Sequence, residues 1–239
     1  MEKPIHFKTA DNKIIYCKLN YKKLPAGKLI VFVHGLTGDM HEHIFFNAVK
    51  FFAARGFSTL RFNFYSSEQN ARKLEECTLA THVEDLDLIV DKTFHEYDKV
   101  YVIGHSLAGP VILQSKLLNV IDKVVLWDPT LSFDWVVKKY RFNKELGVYF
   151  KRSSWYKPLG QEMFHELQSL DILKLYKNTQ VPTKVIIAGE NMYSSVKPLL
   201  KAVVNNNVLV TELQGASHNF DEEGTEEALF HATLDWIAS

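Results

Sequence analysis

The chain has 239 residues, of which 46% are hydrophobic and 13% aromatic, and this is enough apolar material for one core of the size common in α/β proteins. The 28 basic side chains balance 28 acidic ones, so the formal net charge is +0 and no overall field attracts nucleic acid. The composition excludes a disordered, collagen-like or coiled-coil protein. We expect a single domain over residues 1–239.

The cysteines and the apolar runs indicate a cytoplasmic location. Cys17 and Cys77 lie far apart and form no CxxC pair and no metal-binding spacing, so we expect no disulfide framework and no zinc site, as is typical of a reducing compartment. Residues 1–9 lack the apolar core of a secretion signal, and no apolar run approaches the ~20 residues of a membrane helix. The sequence therefore predicts a soluble protein without stable membrane insertion.

Two β-rich runs open the chain, at residues 5–9 and 14–21. They are separated by Asp11 and Asn12, which tolerate the positive φ of a tight turn, so the pattern predicts a hairpin. Residues 28–33 are continuously apolar and lead into His34-Gly35, the pattern of a strand that is buried on both faces.

Helical and strand-like patterns then alternate to the end of the chain. Helices are predicted over residues 44–54, 81–95, 106–118 and 225–238, and strands over 57–64, 99–103, 123–127, 184–188 and 208–213. In total the sequence predicts eight strands, mostly parallel, in a right-handed doubly wound sheet with helices on both faces. Ligands of such sheets bind beyond the carboxyl ends of the strands.

One stretch, residues 130–180, interrupts this alternation and is rich in lysine, arginine and aromatic residues with no clear strand. We interpret it as a small helical cap over the sheet. Its aromatic residues, with the loop 64–67, have two readings, as the lining of an apolar pocket or as plain core packing, and the sequence favours neither. These aromatic residues are Trp135, Tyr140, Phe142, Tyr149, Phe150, Trp155, Tyr156 and Phe164.

The sharpest chemical signal is the run Gly104-His105-Ser106-Leu107-Ala108-Gly109, which follows a predicted strand and opens a predicted helix. A serine in such a sharp turn needs small residues two positions before and after it, because the strained backbone brings Gly104 and Ala108 close together. The same turn pushes the Ser106 hydroxyl outward. A serine that only caps the helix is the alternative, but the strand, turn and helix context favours a nucleophile.

Three motifs in chain order resemble the α/β-hydrolase superfamily, and the resemblance covers nearly the whole chain. They are His34-Gly35-Leu36-Thr37-Gly38, the Ser106 turn, and Gly215-Ala216-Ser217-His218-Asn219-Phe220. The chain is similar to cap-bearing serine esterases related to cinnamoyl and feruloyl esterases and monoacylglycerol lipases. The resemblance implies the α/β-hydrolase fold, no cofactor and no metal. It also implies that the backbone N–H groups of Leu36 and Leu107 bind an oxyanion.

Among the ten histidines, only His218 follows the last predicted strand with small residues before it, where the catalytic base of this family lies. An exposed loop histidine is the alternative. We interpret His34 and His105 as residues that hold the oxyanion loop and the Ser106 turn through hydrogen bonds. The remaining histidines that we assign to the surface are His41, His43, His95 and His231.

The acidic member of the triad departs from the family pattern. The related esterases place an acid three residues after a glycine that follows the seventh strand, but here Gly189 leads to Met192, and methionine cannot orient an imidazole. Asp128 follows the sixth strand, which neighbours the seventh, so we interpret Asp128 as a relocated acid. The alternatives are Glu190 and a site with no competent acid.

These residues predict acyl transfer through an acyl-serine, with Ser106 as nucleophile, His218 as general base and then acid, and Asp128 as the orienting carboxylate. The expected reaction is hydrolysis of esters of apolar fatty or aromatic acids. An acyl-thioesterase or acyltransferase, and a non-catalytic binding protein of this fold, are the alternatives. The expected partner is a small-molecule ester or thioester; no nucleic acid is expected, and a homodimer is left open.

Overall fold

A central sheet of eight strands organises the molecule. The computed structural model describes residues 2–21, 27–151, 154–190, 198, 200–201 and 204–239. The strands in this part of the chain are β1 (Glu2–Lys8), β2 (Ile14–Asn20), β3 (Lys28–Val33), β4 (Ser58–Phe62), β5 (Lys99–His105), β6 (Lys123–Trp127), β7 (Tyr140–Asn143), β8 (Val148–Lys151), β9 (Ser154–Leu159), β10 (Thr183–Ala188) and β11 (Val208–Leu213).

Eight of these strands form the central sheet in the order β1-β2-β4-β3-β5-β6-β10-β11. β1 pairs with β2 and β2 with β4 in antiparallel fashion, and every other pairing in this sheet is parallel. The predicted eight-stranded, mostly parallel sheet is confirmed. In this order the carboxyl ends of β3, β5, β6, β10 and β11 meet at one edge, where the functional loops emerge.

Helices cover both faces of the sheet, as predicted. In the described residues they are α1 (His43–Ala54), α2 (Leu79–Thr93), α3 (Ala108–Ile112), α4 (Asp134–Lys139), α5 (Gln161–Ser169), α6 (Ile172–Asn178) and α7 (Thr225–Ala238). Side chains alternate between the two faces of β3, and each face has its own core. Ile30 and Phe32 pack with α1 and α7, whereas Val31 packs in the other core, with α2 and α3. Both faces of the strand are therefore buried, which explains its continuous apolar run.

The predicted helix over residues 106–118 is much shorter in the structure. α3 ends at Ile112, and the next helical element is a 3-10 turn at Leu118–Val120. A contact from α2 explains the early end, because the Asp87 carboxylate accepts hydrogen bonds from the Ser115 hydroxyl and from the Lys116 N–H. A tertiary contact thus overrides the local helical pattern.

The expectation of a helical insertion without strands is wrong. Between β6 and β10 the chain carries α4, α5 and α6, but also a three-stranded antiparallel sheet in the order β7-β8-β9. Gly147 has a φ of 66° in the turn between β7 and β8, and the aromatic and β-branched run at Val148–Lys151 suits the second strand. The many lysines and arginines obscure this hairpin in the sequence.

The insertion contacts the loop that follows β3. Lys157, in β9, donates a hydrogen bond from Nζ to the carbonyl of Thr37. Several insertion aromatics pack against one another: the rings of Tyr149 and Phe164 are stacked with centroids 3.7 Å apart, and the rings of Phe142 and Tyr149 lie 5.0 Å apart. Phe164 is buried and Tyr149 is partly buried, which favours core packing for these two residues, whereas Phe142 is 41% exposed. In the described part of the chain, none of the helices combines the length and apolar character needed to cross a membrane.

Candidate active site

Ser106 lies in a strained turn between β5 and α3, with a φ of 58°. Small neighbours are required there, because a Cβ on Gly104 would lie 2.7 Å from the Ala108 Cβ. Hydrogen bonds to the end of β6 hold the turn: the Ser106 N–H donates to the carbonyl of Trp127 at 3.1 Å, and the Ser106 carbonyl accepts from the Thr130 N–H at 2.9 Å. The strand order therefore stabilises a backbone conformation that costs free energy locally.

His218 follows β11 and reaches the serine across the sheet edge. Its Nε2 lies 3.2 Å from the Ser106 Oγ, within reach of the serine O–H proton. On the other side of the ring, Nδ1 lies 2.6 Å from Oδ2 of Asp128. Because a carboxylate can only accept, Nδ1 carries the proton and Nε2 presents its lone pair to Ser106.

Asp128 is fully buried at the end of β6. Its Oδ1 accepts a hydrogen bond from the Ala188 N–H of the neighbouring strand β10 at 2.9 Å. Its own N–H donates to the carbonyl of Ile186 at 2.7 Å. Since β6 and β10 are paired in parallel, these bonds fix the carboxylate and direct Oδ2 at His218.

The alternative acid, Glu190, is exposed at the end of the turn after β10. Its backbone N–H donates to the carbonyl of Ala216, and among the described residues the only carboxylate within hydrogen-bond distance of His218 is that of Asp128. Met192, at the position where related esterases carry their acid, lies outside the described residues. The geometry therefore favours Asp128 over Glu190 as the partner of the imidazole.

Gly35 brings the loop after β3 against the serine. A Cβ at this position would lie 2.8 Å from the Ser106 Cβ, so any larger residue would push the two segments apart. Three groups surround the Gly35 carbonyl: His34 Nδ1 at 2.8 Å, the Gly38 N–H at 3.2 Å and the Tyr65 hydroxyl at 3.4 Å. In a trans peptide the N–H points opposite to the carbonyl, so the Leu36 N–H is turned away from these donors.

The two predicted oxyanion donors are free to bind a ligand. In the described residues, neither the Leu36 N–H nor the Leu107 N–H donates to a protein acceptor. The two residues flank the Ser106 turn on separate segments, the loop after β3 and the start of α3. Unused backbone donors next to a nucleophile are what an oxyanion hole requires.

The two buried histidines near the site are neutral at ordinary pH, because burial lowers the pKa of His34 and that of His105 to about 4. Neutral His34 accepts the Phe64 N–H at Nε2 and donates to the Gly35 carbonyl from Nδ1. These bonds hold the loop after β3, which carries Leu36. His105 donates from Nε2 to the carbonyl of His218 at 2.8 Å, so it positions the histidine loop, a contact that sequence reasoning missed.

Loop 64–67 had two readings, as a pocket lining or as core packing, and its aromatic residues are buried. Phe64 and Tyr65 are 3% and 7% exposed, and their rings pack against His34. Tyr65 directs its hydroxyl toward the Gly35 carbonyl. No local sequence signal indicates this contact between residues 30 positions apart.

No cluster of three or more His, Cys, Asp or Glu side chains suited to a metal ion occurs among the described residues. Cys17 and Cys77 are both buried free thiols there, and burial raises the pKa of each. His41, His43, His95 and His231 are exposed, in agreement with their assignment to the surface. Of the insertion aromatics, the side chains of Trp155 and Tyr156 lie outside the described part of the structure.

A family model, described as the alpha/beta hydrolase family, matches residues 30–226. The chain belongs to the alpha/beta hydrolase family. The match includes all three motifs of this hydrolase and most of its central sheet. No curated protein sequence is significantly similar to it.

Solved structures share the fold of this hydrolase at low sequence identity. Est1E from Butyrivibrio proteoclasticus, with ferulic acid bound, has a TM-score of 0.79 at 17% identity, covering 98% of this chain and 100% of that chain. The esterase domain of a Rhodothermus marinus protein has a TM-score of 0.73 at 13% identity, covering 99% and 98%. Alpha/beta hydrolase domain-containing protein 10 from mouse has a TM-score of 0.73 at 14% identity, covering 99% and 98%. At these identities the likeness shows the fold alone.

Proposed function

We propose that this chain is a serine hydrolase of carboxylic esters, with Ser106, His218 and Asp128 as its catalytic triad. The observation that carries the proposal is the continuous series of hydrogen bonds from the Asp128 carboxylate through both His218 nitrogens to the Ser106 hydroxyl. In this arrangement the imidazole has the tautomer and orientation that a general base requires.

In the proposed reaction, the Ser106 Oγ attacks the ester carbonyl carbon while its proton moves to Nε2 of His218. The tetrahedral intermediate then expels the alcohol, which takes the proton from Nε2, and an acyl-serine remains. Water attacks the acyl group and gives a proton to His218. Collapse of the second intermediate releases the carboxylic acid and restores the Ser106 hydroxyl.

The negative charge on the intermediate would be stabilised by the N–H groups of Leu36 and Leu107. Each donor of this kind typically contributes about 10²- to 10³-fold in kcat. Three contacts on the Gly35 carbonyl support the orientation of the Leu36 N–H. In the proposed reaction, this donor would be oriented before the substrate binds.

We assign the substrate to esters of apolar, fatty or aromatic acids, with residues 130–180 acting as a cap. The contact from Lys157 to Thr37 supports a cap role, since it joins the insertion to the loop that carries Leu36. A shared fold with Est1E, which was solved with the aromatic acid ferulic acid, is compatible with this substrate class.

An active-site label and a substrate panel test the proposal. A fluorophosphonate probe should label the full chain, and Ser106→Ala should abolish both labelling and turnover of 4-nitrophenyl esters while its thermal unfolding stays close to that of the original chain. Ser67→Ala, which changes an exposed serine, is the matched control and should retain both. Turnover by folded Ser106→Ala would refute the assignment. Faster cleavage of thioesters than of matched oxygen esters would move the chain to the thioesterase class.

A further inference from the structure

Exposed apolar side chains are concentrated in one short segment of the insertion. Among the described residues, five large hydrophobic side chains are exposed: Phe46 at 47%, Val137 at 42%, Phe142 at 41%, Leu146 at 63% and Leu209 at 46%. Three of these five lie within residues 137–146. Single exposed apolar residues need no explanation, but a group of them within one short segment indicates an interaction surface.

The same segment is strongly basic. Residues 137–151, which we name the cationic hairpin, contain one acid, Glu145, and five basic residues. All five basic side chains are exposed, and in the described structure none of them forms an ion pair with a carboxylate. They are Lys138, Lys139, Arg141, Lys144 and Lys151. The excess of positive charge is local, because the whole chain has a formal net charge of +0.

The cationic hairpin has an ordered tip. The turn between β7 and β8 is closed by a hydrogen bond from the Gly147 N–H to the Asn143 carbonyl at 2.9 Å. The Asn143 side chain also accepts from the N–H groups of Glu145 and Leu146. Because neighbouring strand residues point to opposite faces, Arg141 and Phe142 flank the hairpin on both sides, with Leu146 at its end.

We propose that the cationic hairpin docks the protein on an anionic phospholipid surface. Apolar side chains interleaved with cations that have no carboxylate partner in the described structure match such a surface, because the apolar groups enter the region of the headgroups while lysine and arginine remain near the lipid phosphates. If the end of the hairpin makes the contact, Leu146 is the residue that enters the headgroup region most deeply. This is peripheral binding and requires no membrane-spanning segment.

The charge and the apolar residues together favour lipid over other partners. A second copy of the chain bound through the same segment would place two basic hairpins against each other, which like charges oppose. Nucleic acid would use the cations but would give Val137 and Leu146 no role, since aliphatic side chains offer no surface for base stacking.

Binding to lipid does not depend on the proposed hydrolysis. A role for that binding in substrate delivery does rest on the proposed function. β8 pairs with β9, and Lys157 of β9 contacts Thr37 in the loop beside Ser106. Docking would therefore bring this edge of the insertion, and the loop it contacts, toward a lipid phase in which apolar esters dissolve.

Vesicle binding tests the proposal with the full-length Ser106→Ala chain, so that the outcome is independent of turnover. Flotation with phosphatidylcholine vesicles is compared with flotation on vesicles that also contain phosphatidylserine. Two variants address the hairpin, Lys139→Gln/Lys144→Gln for charge and Phe142→Ser/Leu146→Ser for apolar contact. Matched controls are Lys116→Gln and Leu209→Ser, which change exposed residues elsewhere. All substituted side chains are exposed, so folding should be retained, and circular dichroism checks this.

The chain should bind the anionic vesicles, bind neutral ones much less, and release them as salt rises. Each surface cation contributes roughly fivefold in partitioning to an anionic membrane, so the charge variant should bind roughly 25-fold more weakly. The apolar variant should also bind more weakly, and both controls should bind normally. Equal binding to both vesicle types, or equal binding by all variants, would overturn the proposal. Binding to DNA that is tighter than binding to anionic vesicles, and that is unchanged in Phe142→Ser/Leu146→Ser, would also overturn the proposal.

Discussion

Replacing Asp128 by asparagine should nearly abolish ester hydrolysis without removing the side-chain contact to His218. The Ala188 N–H donates to Oδ1 of Asp128, so the carbonyl oxygen of an asparagine at this position must stay on that side. Its NH₂ group would then face Nδ1 of His218, where the carboxylate oxygen now lies at 2.6 Å. An NH₂ group donates, so Nδ1 must accept and the ring proton must move to Nε2. In that tautomer Nε2 cannot accept the proton of Ser106.

The magnitude follows from the loss of the base in its useful tautomer. A mis-oriented triad histidine lowers kcat by about 10⁴-fold, which corresponds to about 5 kcal/mol of transition-state stabilisation. We expect a loss of this size in kcat with a smaller change in KM, because Asp128 is buried and does not face the substrate. The oxyanion donors should leave a residual rate above that of the uncatalysed reaction.

The assay is steady-state hydrolysis of a 4-nitrophenyl ester at neutral pH by folded, purified Asp128→Asn. Glu190→Gln is the matched control: the same carboxylate-to-amide change at an exposed position, which should leave kcat nearly unchanged. Equal rates for the original chain and Asp128→Asn would refute the tautomer argument. A large loss in Glu190→Gln alone would transfer the orienting role to that residue.

Two further predictions concern the supports of the site. Gly35→Ala should lower kcat/KM by about 10²-fold through loss of the Leu36 donor, because its Cβ would lie 2.8 Å from the Ser106 Cβ. Gly38→Ala should cost much less, since its Cβ would meet only the terminal atoms of the Glu42 side chain, which can change rotamer, and not the Ser106 turn. His105→Gln should alter the pH dependence of stability. Burial lowers the pKa of His105 from 6.5 to about 4. As pH falls from 6.5 toward 4, the unfolded chain therefore binds a proton at His105 while the folded chain does not, and the stabilisation that neutral His105 provides is lost. The stability advantage of the original chain over the variant should therefore shrink by about 2 to 3 kcal/mol between pH 7.5 and 4.5.

Steady-state kinetics checks the glycine prediction, and urea unfolding at the two pH values checks the histidine prediction. Gly35→Ala activity equal to that of Gly38→Ala would show that the close approach to Ser106 has no catalytic consequence. A stability difference between the original chain and His105→Gln that is constant with pH would show that His105 titrates alike in the folded and unfolded chains.

Local patterns in the sequence were sufficient for most of the fold. Apolar alternation, helical spacing and the small residues around Ser106 depend on neighbours within a few positions, and the C-terminal helix was predicted with its observed bounds, Thr225–Ala238. The interrupted stretch between β6 and β10 was also located, but its β7-β8-β9 sheet was missed. The extent of α3 was overestimated because a contact with Asp87 ends it.

The partner of His218 is a question that local patterns leave open. Asp128 and Glu190 were both candidates, and the two lie at the ends of neighbouring strands. Only the folded backbone decides between them, because the N–H of Ala188 orients the Asp128 carboxylate and the pairing of β6 with β10 directs it at the imidazole.

The sequence by itself thus determined the fold class, the serine turn and the candidate residues Ser106 and His218, since each has a signature within a short segment, and it left the acid open between Asp128 and Glu190. The tertiary structure alone decided which of these groups touch. Ser106 and His218 are 112 positions apart, and His218 and Asp128 are 90 apart. The support of Gly35 by Tyr65 and of His218 by His105 also depends on distant segments. Such contacts arise from the order of strands in the sheet, which is set by packing of the whole chain and leaves no local signal in the sequence.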